Sequence, residues 1–547
     1  IILRHPSLFN RRTKSCRLQS IPTSWFQTLE IPVAHRGSGV QLPGETPAIR
    51  EGDLSQALRC LRSWIREYRS TSSDDPAGEE ERSVSQLMHL NSREQRAVLQ
   101  QHAISWIREH NVSGRLVHST SFSVGGFTVS PDALVVERQP AEPYAAVQAK
   151  AVLSSTLYVI VPAFAPKAHS LDTARMQTIV LRRCGYHVGS VRFLCLDKTY
   201  DLGSSTHVNP DGLFSDVRVP KTFERSLSAT ESFMSRMHTY ASSFDTPPKC
   251  KRRASCEVCY PEQTEARSEH HIRTLFRGGS VVDELERQGF TDLRQLSDEQ
   301  LPGRRHRMQL QAIRTGVPHV DRARLKGFLE ELAFPRLYLD FETVSRAIPP
   351  VSGVKPWEHV PMQFSAHRQD FPGAELRSFS FLADAMTPER DERCALAEAL
   401  EPIIDGCGSI IAYAAAFERR TLIRLADWCP DFAPLLAGVV DRIRDLQKPF
   451  SEFWYYDPRQ HGRTGLKKVL PVMSGSGYEE LDVQDGLEAS LRWQYEYARA
   501  LFARDSSFDF SQMVDRPTLG NRLREYCAVD TRGLADIVAA IERIVAE

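Results

Sequence analysis

The chain predicts an α/β protein of two sheet-centred domains joined by a small helical connector, and three observations carry that expectation. Over residues 86–245, short β-prone runs alternate with segments of helical apolar spacing, the pattern of a sheet flanked by helices. From about residue 333 the alternation resumes, opening on the apolar run Leu337-Tyr338-Leu339-Asp340-Phe341-Glu342-Thr343. At 547 residues the chain is too long for a single core, because domains seldom exceed about 250–300 residues.

Residues 1–85 define no clear domain. The first 29 contain no acid and carry Arg4, Arg11, Arg12, Lys14 and Arg17, which suits a targeting peptide; the absence of an initiator Met equally suits a fragment or a mis-set start. Ser70–Ser83 is polar and acidic and reads as a linker. Within 86–262, Ser92–His110 predicts a helix, Arg115–Val124, Ala133–Val136, Tyr144–Val152 and Leu157–Val161 predict strands, Ala168–Arg183 a helix and Val188–Leu196 a further strand. Residues 263–332 read as short helices joined by glycine turns (Gly278-Gly279, Gly289, Gly303), and 333–547 as the second sheet domain. Hydrophobic residues at 41% and charged residues at 25% are ordinary for a soluble globular protein. Lys+Arg and Asp+Glu both total 69, so any electrostatic footprint has to be local. No apolar run approaches the roughly 20 residues that span a bilayer, and a membrane partner is not expected.

Asp340 and Glu342 are two apart in a predicted strand and therefore project from one face. Two like charges that close repel unless a cation lies between them. Further along, Ile410-Ile411-Ala412-Tyr413 predicts a short strand, followed by Phe417-Glu418 at the start of an amphipathic helix. Near the end of the chain Tyr526 and Asp530 stand four apart in the helical segment Arg522–Ile544, on one face and one turn. This ordered set (D-x-E on a strand, F-E opening a helix, Y-x-x-x-D on a late helix) resembles the DnaQ-like 3′–5′ exonucleases of the RNase H-like superfamily, in the branch whose last motif carries a tyrosine. The resemblance implies four carboxylates holding two Mg²⁺ or Mn²⁺ ions, with Asp340 bridging, Glu342 and Asp530 completing one shell, Glu418 serving the second ion and Tyr526 orienting the attacking water. It departs from that family where an asparagine often precedes the F-D/E step, since Ala414, Ala415 and Ala416 fill the stretch.

In the amino-terminal domain the order is Asp132, then Gln148-Ala149-Lys150, then a helix carrying His169, Asp172 and Gln177. This resembles the RecB-like branch of the PD-(D/E)XK nucleases, where an Asp and an E-x-K bind metal and a helix Gln shapes the site. Gln148 stands where the second metal-binding carboxylate belongs, so the resemblance implies a degenerate site that binds nucleic acid without cutting it. Cys250, Cys256 and Cys259 cluster beside the basic residues Lys249, Lys251, Arg252 and Arg253. RecB-like nucleases often hold an iron–sulfur cluster there, and the resemblance implies a 4Fe–4S cluster with Cys60 or Cys16 as fourth ligand. The rivals are a Zn²⁺ site completed by His270 or His271, or free surface thiols. The other cysteines, Cys16, Cys60, Cys184, Cys195, Cys394, Cys407, Cys429 and Cys527, stand apart and are expected to be reduced thiols of a cytoplasmic protein.

Residues 90–547 also resemble uncharacterised bacterial proteins that fuse these modules, through Ala347-Ile348-Pro349, Pro356-Trp357-Glu358-His359-Val360-Pro361, Gly465-Leu466-Lys467-Lys468-Val469-Leu470-Pro471 and Asp485-Gly486-x-Glu488-Ala489. Lys467 is a candidate phosphate contact, or a surface lysine at a helix start. Trp357 and Phe364 are candidates for stacking on bases, or core aromatics. The expected function is metal-dependent 3′–5′ hydrolysis of DNA or RNA. The alternative is a nucleic-acid-binding scaffold that has lost catalysis in both modules.

Overall fold

The computed structural model describes residues 48–70, 84–111, 114–137, 153–497 and 516–547, apart from the short gaps 204–206, 244, 251–255, 257, 260–267, 476 and 479–480. Gln148, Lys150, Cys16, Lys251, Arg252, Arg253 and the linker 71–83 lie outside the described residues, as does the whole of the predicted strand 144–152.

The architecture is mixed α/β. In the amino-terminal half, helices α1 (Glu51–Arg59), α2 (Leu61–Ser70) and α3 (Val84–His110) precede strand β1 (Gly114–Val117). A hairpin of β2 (Phe122–Val124) and β3 (Phe127–Val129) follows, then β4 (Ala133–Glu137), β5 (Leu153–Val161), α4 (Ala168–Arg183), β6 (Tyr186–Leu196), β7 (Phe214–Arg218) and α5 (Phe223–Ala241). The five-stranded sheet runs β1-β4-β5-β6-β7, with β5 and β6 parallel across α4 and the other pairs antiparallel. Alternation along β4 explains its two faces. Leu134 and Val136 pack with α1, α2, α4 and α5, while Ala133 and Val135 meet Leu99, Ala103 and Ile107 of α3. Residues 51–70, which the sequence leaves in an undefined region, belong to this core through Leu54, Trp64 and Ile65.

The connector holds α6 (Gly279–Arg287), α7 (Arg304–Thr315) and α8 (Arg322–Glu330). Ile272, Leu275, Leu285, Leu293 and Leu310 give it a small core of its own.

The carboxyl-terminal sheet has strands β8 (Arg336–Val344), β9 (Val360–Gln369), β10 (Arg377–Leu382), β11 (Ser409–Ala412) and β12 (Ile443–Asp445). Their order is β10-β9-β8-β11-β12, antiparallel from β10 to β8 and parallel from β8 to β12. Helices α9 (Arg393–Ile404) and α10 (Ala416–Trp428) cover the face of Leu337, Leu339 and Phe341. After α11 (Leu466–Ser474) and α12 (Gly486–Arg492), the long α13 (Arg516–Ala546) covers the face of Tyr338 and Val344. Gln363 Nε2 donates to the Leu523 carbonyl at 2.8 Å, tying that helix to the sheet.

Two expectations are corrected. Cys394 and Cys429 are not free thiols but a disulfide joining the start of α9 to the end of α10; the partners are brought together by helix packing, which sequence spacing does not reveal. Phe364 is not available to stack on bases. Phe364 is fully buried between Phe341 and Phe381, and Trp357 donates its indole N–H to the Pro162 carbonyl at 3.0 Å. Trp357 thus belongs to a contact between the halves, where Arg346 grips Glu94 of α3 at 3.0 and 3.1 Å and Gln95 accepts the Ala347 N–H at 2.8 Å.

Candidate functional site

Strand β8 aims Asp340 and Glu342 at the face that α13 covers, and α13 brings Asp530 to meet them. One oxygen from each of these three carboxylates lies within 4.8 Å of the others. Glu342 and Asp530 are 8% and 7% exposed, so the charges share a poorly hydrated site. Each would raise the other's proton affinity, and the groups respond accordingly. Burial, then Asp530, Glu342 and Glu418, push Asp340 well above the ordinary carboxylate range. Burial and then Asp530 push Glu342 up to about 8, and burial lifts Asp530 to about 6 against hydrogen bonds that oppose the shift.

Glu418, in the first turn of α10, stands outside that tight trio but close enough to act on Asp340 and Glu342. It is 3% exposed, its Oε2 has no hydrogen-bond partner, and burial raises it to about 7. The turn that delivers it passes through Ala414 at φ +56°. Asp445 at the end of β12 holds this turn by accepting the N–H groups of Ala414 (3.0 Å) and Gln447 (2.9 Å).

Tyr526 is 3% exposed and its hydroxyl hydrogen-bonds to Asp530, as the i, i+4 spacing allows. Four residues that the sequence reading did not place in the site surround the trio. Tyr478 donates its hydroxyl to Asp530 Oδ1. Cys527, fully buried, approaches Asp340 Oδ2 with its Sγ at 3.5 Å. Asp485 caps α12 and adds to the repulsion on Glu342. Gly486 lies so close that a Cβ there would meet the Glu342 oxygens at 3.0 and 3.2 Å, so a larger residue would have to displace that carboxylate. The signal for these two was the Asp485-Gly486 pair. Nothing in the sequence distinguishes Tyr478 from other loop tyrosines. Lys467 is the nearby cation: its Nζ donates to the Gln484 carbonyl, stands 5.6 and 5.9 Å from the ring centres of Tyr478 and Tyr526, and draws Glu342 and Asp530 downward.

The donor set is all oxygen, anionic and crowded, which is the chemistry of a hard divalent ion such as Mg²⁺ or Mn²⁺ and not of a soft one. The raised carboxyls are the mark of missing positive charge, and a divalent cation among them would relieve the mutual repulsion.

The amino-terminal residues are arranged differently. Asp132 is 3% exposed, but Arg96 of α3 donates to its Oδ1 at 2.9 Å and the Ile160 N–H to its Oδ2 at 2.9 Å. Gln177 is fully buried and donates to Glu51 of α1 at 3.3 Å. Burial raises the Glu51 carboxyl against hydrogen bonds from Ser130 and Gln177. Asp132 and Gln177 therefore face the same region, with Glu51 and Arg96 as members that the sequence reading missed. His169 does not join them, and Asp172 pairs with Arg175 at 2.8 Å.

Cys60, at the junction of α1 and α2, completes the cysteine group with Cys250, Cys256 and Cys259, all four sulfurs lying within 4.8 Å of one another. Cys60 Sγ is 3.4 Å from both Cys256 Sγ and Cys259 Sγ. The fourth member of the group is thus a cysteine from far upstream, in place of the His270 or His271 of the alternative reading; the His271 ring instead accepts the Arg273 N–H at 3.2 Å. Burial pushes the Cys60 thiol up to about 12 in the absence of a metal.

Residues 337–465 match a family described as a domain of unknown function, DUF2779. That span contains Asp340, Glu342 and Glu418 and stops short of Tyr526 and Asp530. No curated protein matches the chain. Among the described residues no helix is long and apolar enough to cross a membrane.

Proposed function

We propose that the protein is a metal-dependent 3′–5′ exonuclease acting on DNA or RNA ends, with an amino-terminal module that guides the strand and does not cut it. The observation that carries this reading is the convergence of half-buried Asp340 with buried Glu342 and Asp530, from elements 190 residues apart in the chain, into one carboxylate trio. The sheet order β10-β9-β8-β11-β12, antiparallel and then parallel, supports an RNase H-like domain. The parallel β5-α4-β6 unit with Asp132 and Gln177 beside it supports a RecB-like one.

Asp340, Glu342 and Asp530 would hold one divalent ion, and Glu418 with Asp340 a second. Bound there, such ions acidify a water and stabilise the charge of a leaving oxygen. The chain's own groups do the rest. Tyr478 and Tyr526 fix the Asp530 carboxylate by hydrogen bonds, and Tyr526 is assigned to orient the attacking water. Lys467, at the rim, is assigned to a substrate phosphate.

In the amino-terminal module Arg96 neutralises the carboxylate that a metal would need, and the four cysteines hold a thiophilic metal that staples α1 and α2 to the end of the domain. Sulfur separations of 3.4 Å are near the edge of a tetrahedron built on metal–sulfur bonds of about 2.3 Å. This spacing is nearer to that of a single zinc-like ion than to that of a four-iron cluster, which, with one thiolate per iron, spreads the sulfurs further.

Incubation of labelled single-stranded DNA and RNA with the protein and Mg²⁺ or Mn²⁺ tests the activity. Stepwise shortening from the 3′ end, abolished by chelator, is expected; intact substrate under every metal condition would sink the proposal. Metal analysis and the visible spectrum of anaerobically purified protein decide the cysteine site. Colourless protein with stoichiometric zinc is expected, while brown iron-containing protein would replace the single ion by a cluster.

A further inference from the structure

A cavity of about 190 Å³ opens between the connector and the carboxyl-terminal domain, remote in sequence from the carboxylate motifs. Arg304, Arg305 and Arg324 line it against only two acids, Asp321 and Glu452. Arg305 is paired with Glu452, and Arg324 stands 3.5 Å from Asp321. Exposed Arg304 makes no ion pair or hydrogen bond among the described residues. The cavity wall also holds Trp454, whose buried indole N–H has no hydrogen-bond partner, an arrangement that costs free energy unless something accepts that bond.

The flanking helices add to the positive field. Both α7 and α8 begin at the cavity, with Arg304 and Arg324 in their first turns; α7 has no acid there, whereas α8 is capped by Asp321, which accepts the Arg324 N–H at 3.1 Å. α7 opens on Arg304-Arg305-His306-Arg307 with no side-chain cap. Cations at the positive end of a helix are unfavourable, and an anion placed there is favoured. Lys448 lies 5.4 Å from the Trp454 ring centre and contributes further charge. The volume is below the roughly 300 Å³ at which sites for drug-sized ligands begin, so it suits a small anionic group.

We propose that this cleft binds a phosphate group of a nucleic-acid strand whose end lies in the carboxylate site. The proposal rests on the exonuclease reading for its substrate. The stretch 445–454 links the two places, since Asp445 holds the turn before Glu418 and Trp454 lines the cleft. Arg304 and the Trp454 N–H are the unpaired donors, and Arg324 is released from Asp321 to the phosphate.

Binding of labelled oligo-dT and oligo-rU to the full chain is measured by fluorescence anisotropy in chelator, where no cleavage intrudes, at several salt concentrations. Arg304→Ala should weaken both strands about tenfold, the loss of one charge-assisted contact, and flatten the salt slope by about 0.7. Trp454→Phe keeps the ring and should weaken both strands less. Unchanged affinity and slope in Arg304→Ala, or failure of the wild-type chain to bind either strand, would overturn the proposal. Loss confined to one strand would also overturn it, replacing phosphate recognition by recognition of the sugar or base. Thymidine 5′-(p-nitrophenyl phosphate), which has a single phosphodiester and no further strand phosphate to place in the cleft, separates the two readings. Its metal-dependent hydrolysis should be equal in wild type and Arg304→Ala. If wild type leaves it intact the exonuclease reading fails, and the anisotropy result still decides the cleft.

Discussion

At the carboxyl-terminal site three carboxylates face one another, and none of them forms an ion pair among the described residues; at the amino-terminal site the comparable carboxylate, Asp132, is gripped by Arg96 at 2.9 Å. Both sites are buried and both sit beside a five-stranded sheet. The difference lies in where the compensating charge comes from. Asp132 has an arginine and a backbone N–H. Asp340, Glu342 and Asp530 have only hydroxyl, thiol and distant lysine neighbours, and all three are pushed upward. The fold itself satisfies Asp132, whereas it crowds the other acids and supplies no counterion. Burying a charge is costly unless it is paired, so the second arrangement needs bound protons or a cation to offset it.

The comparison breaks most visibly at Asp340. Asp340→Asn keeps volume and removes the charge at the centre of the trio, so metal-dependent degradation should fall by about a thousandfold or more, the several kcal/mol a metal supplies to the transition state. Degradation by purified Asp340→Asn at the wild-type rate would show that the carboxylate trio is not the catalytic centre. Residual metal-dependent cleavage in that variant, abolished by Lys150→Ala, would instead show that the amino-terminal site is alive.

The pH dependence of the metal-free protein is the next effect in size, because several groups contribute with the same sign. Glu342 rises from 4.5 to about 8, Glu418 from 4.5 to about 7 and Asp530 from 3.8 to about 6. In each case the native state holds a proton that the unfolded chain has released. Their contribution to stability is therefore complete below about pH 4 and is lost as pH rises through 6 to 8. A divalent ion competes with those protons, so its affinity should climb over the same window. Thermal unfolding of metal-free protein should show a midpoint that falls between about pH 5 and 8, with Mn²⁺ restoring it most at the alkaline end. A metal-free midpoint that rises over this interval would contradict the crowded-carboxylate picture.

Arg96→Met sharpens the other half. It strands Asp132 with only the Ile160 N–H and should cost about 1–3 kcal/mol, below the 3–5 kcal/mol of a fully buried pair because Arg96 is half-exposed. Exonuclease activity should be unaffected. Chemical denaturation monitored alongside strand degradation checks both statements, and a fully stable variant would show that Arg96 is not the counterion the fold relies on.

What the sequence disclosed follows the same physics. Asp340 and Glu342 were legible because a strand repeats every two residues, and Tyr526 with Asp530 because a helix returns every four. Both are local periodicities. Helix α4 was readable to its end residues, Ala168 and Arg183, because its apolar spacing is continuous. Contacts made through space left no such trace. Cys60, named beforehand only through the family resemblance and beside Cys16, reaches its partners across 196 and 199 residues, Arg96 meets Asp132 across a helix–sheet interface, and Tyr478 reaches Asp530 from a loop. The Cys394–Cys429 disulfide belongs to the same class. Phe364 misled for the complementary reason: an aromatic residue type suits stacking on bases and packing in a core equally well, and only burial separates the two.

The smallest effect concerns a residue that departs from the expected pattern. Ala414 occupies the stretch where the exonuclease resemblance often shows asparagine, and the chain nevertheless adopts φ +56° there. An L-residue with a Cβ is disfavoured in that region by about 1–2 kcal/mol, whereas asparagine and glycine visit it more readily. The conformation is held from outside, by Asp445 accepting the Ala414 N–H at 3.0 Å. It matters because the next turn delivers Glu418, the one carboxylate outside the tight trio. Ala414→Asn should therefore stabilise the protein by about 0.5–1 kcal/mol. Ala414→Gly should gain less, because glycine returns part of the advantage as entropy of the unfolded chain. Denaturant midpoints of the two variants against wild type measure the ordering Asn above Gly above Ala. If Ala414→Asn is less stable than wild type, the turn is not strained by its side chain, and its missing asparagine is not a deficit in the second half of the carboxylate site.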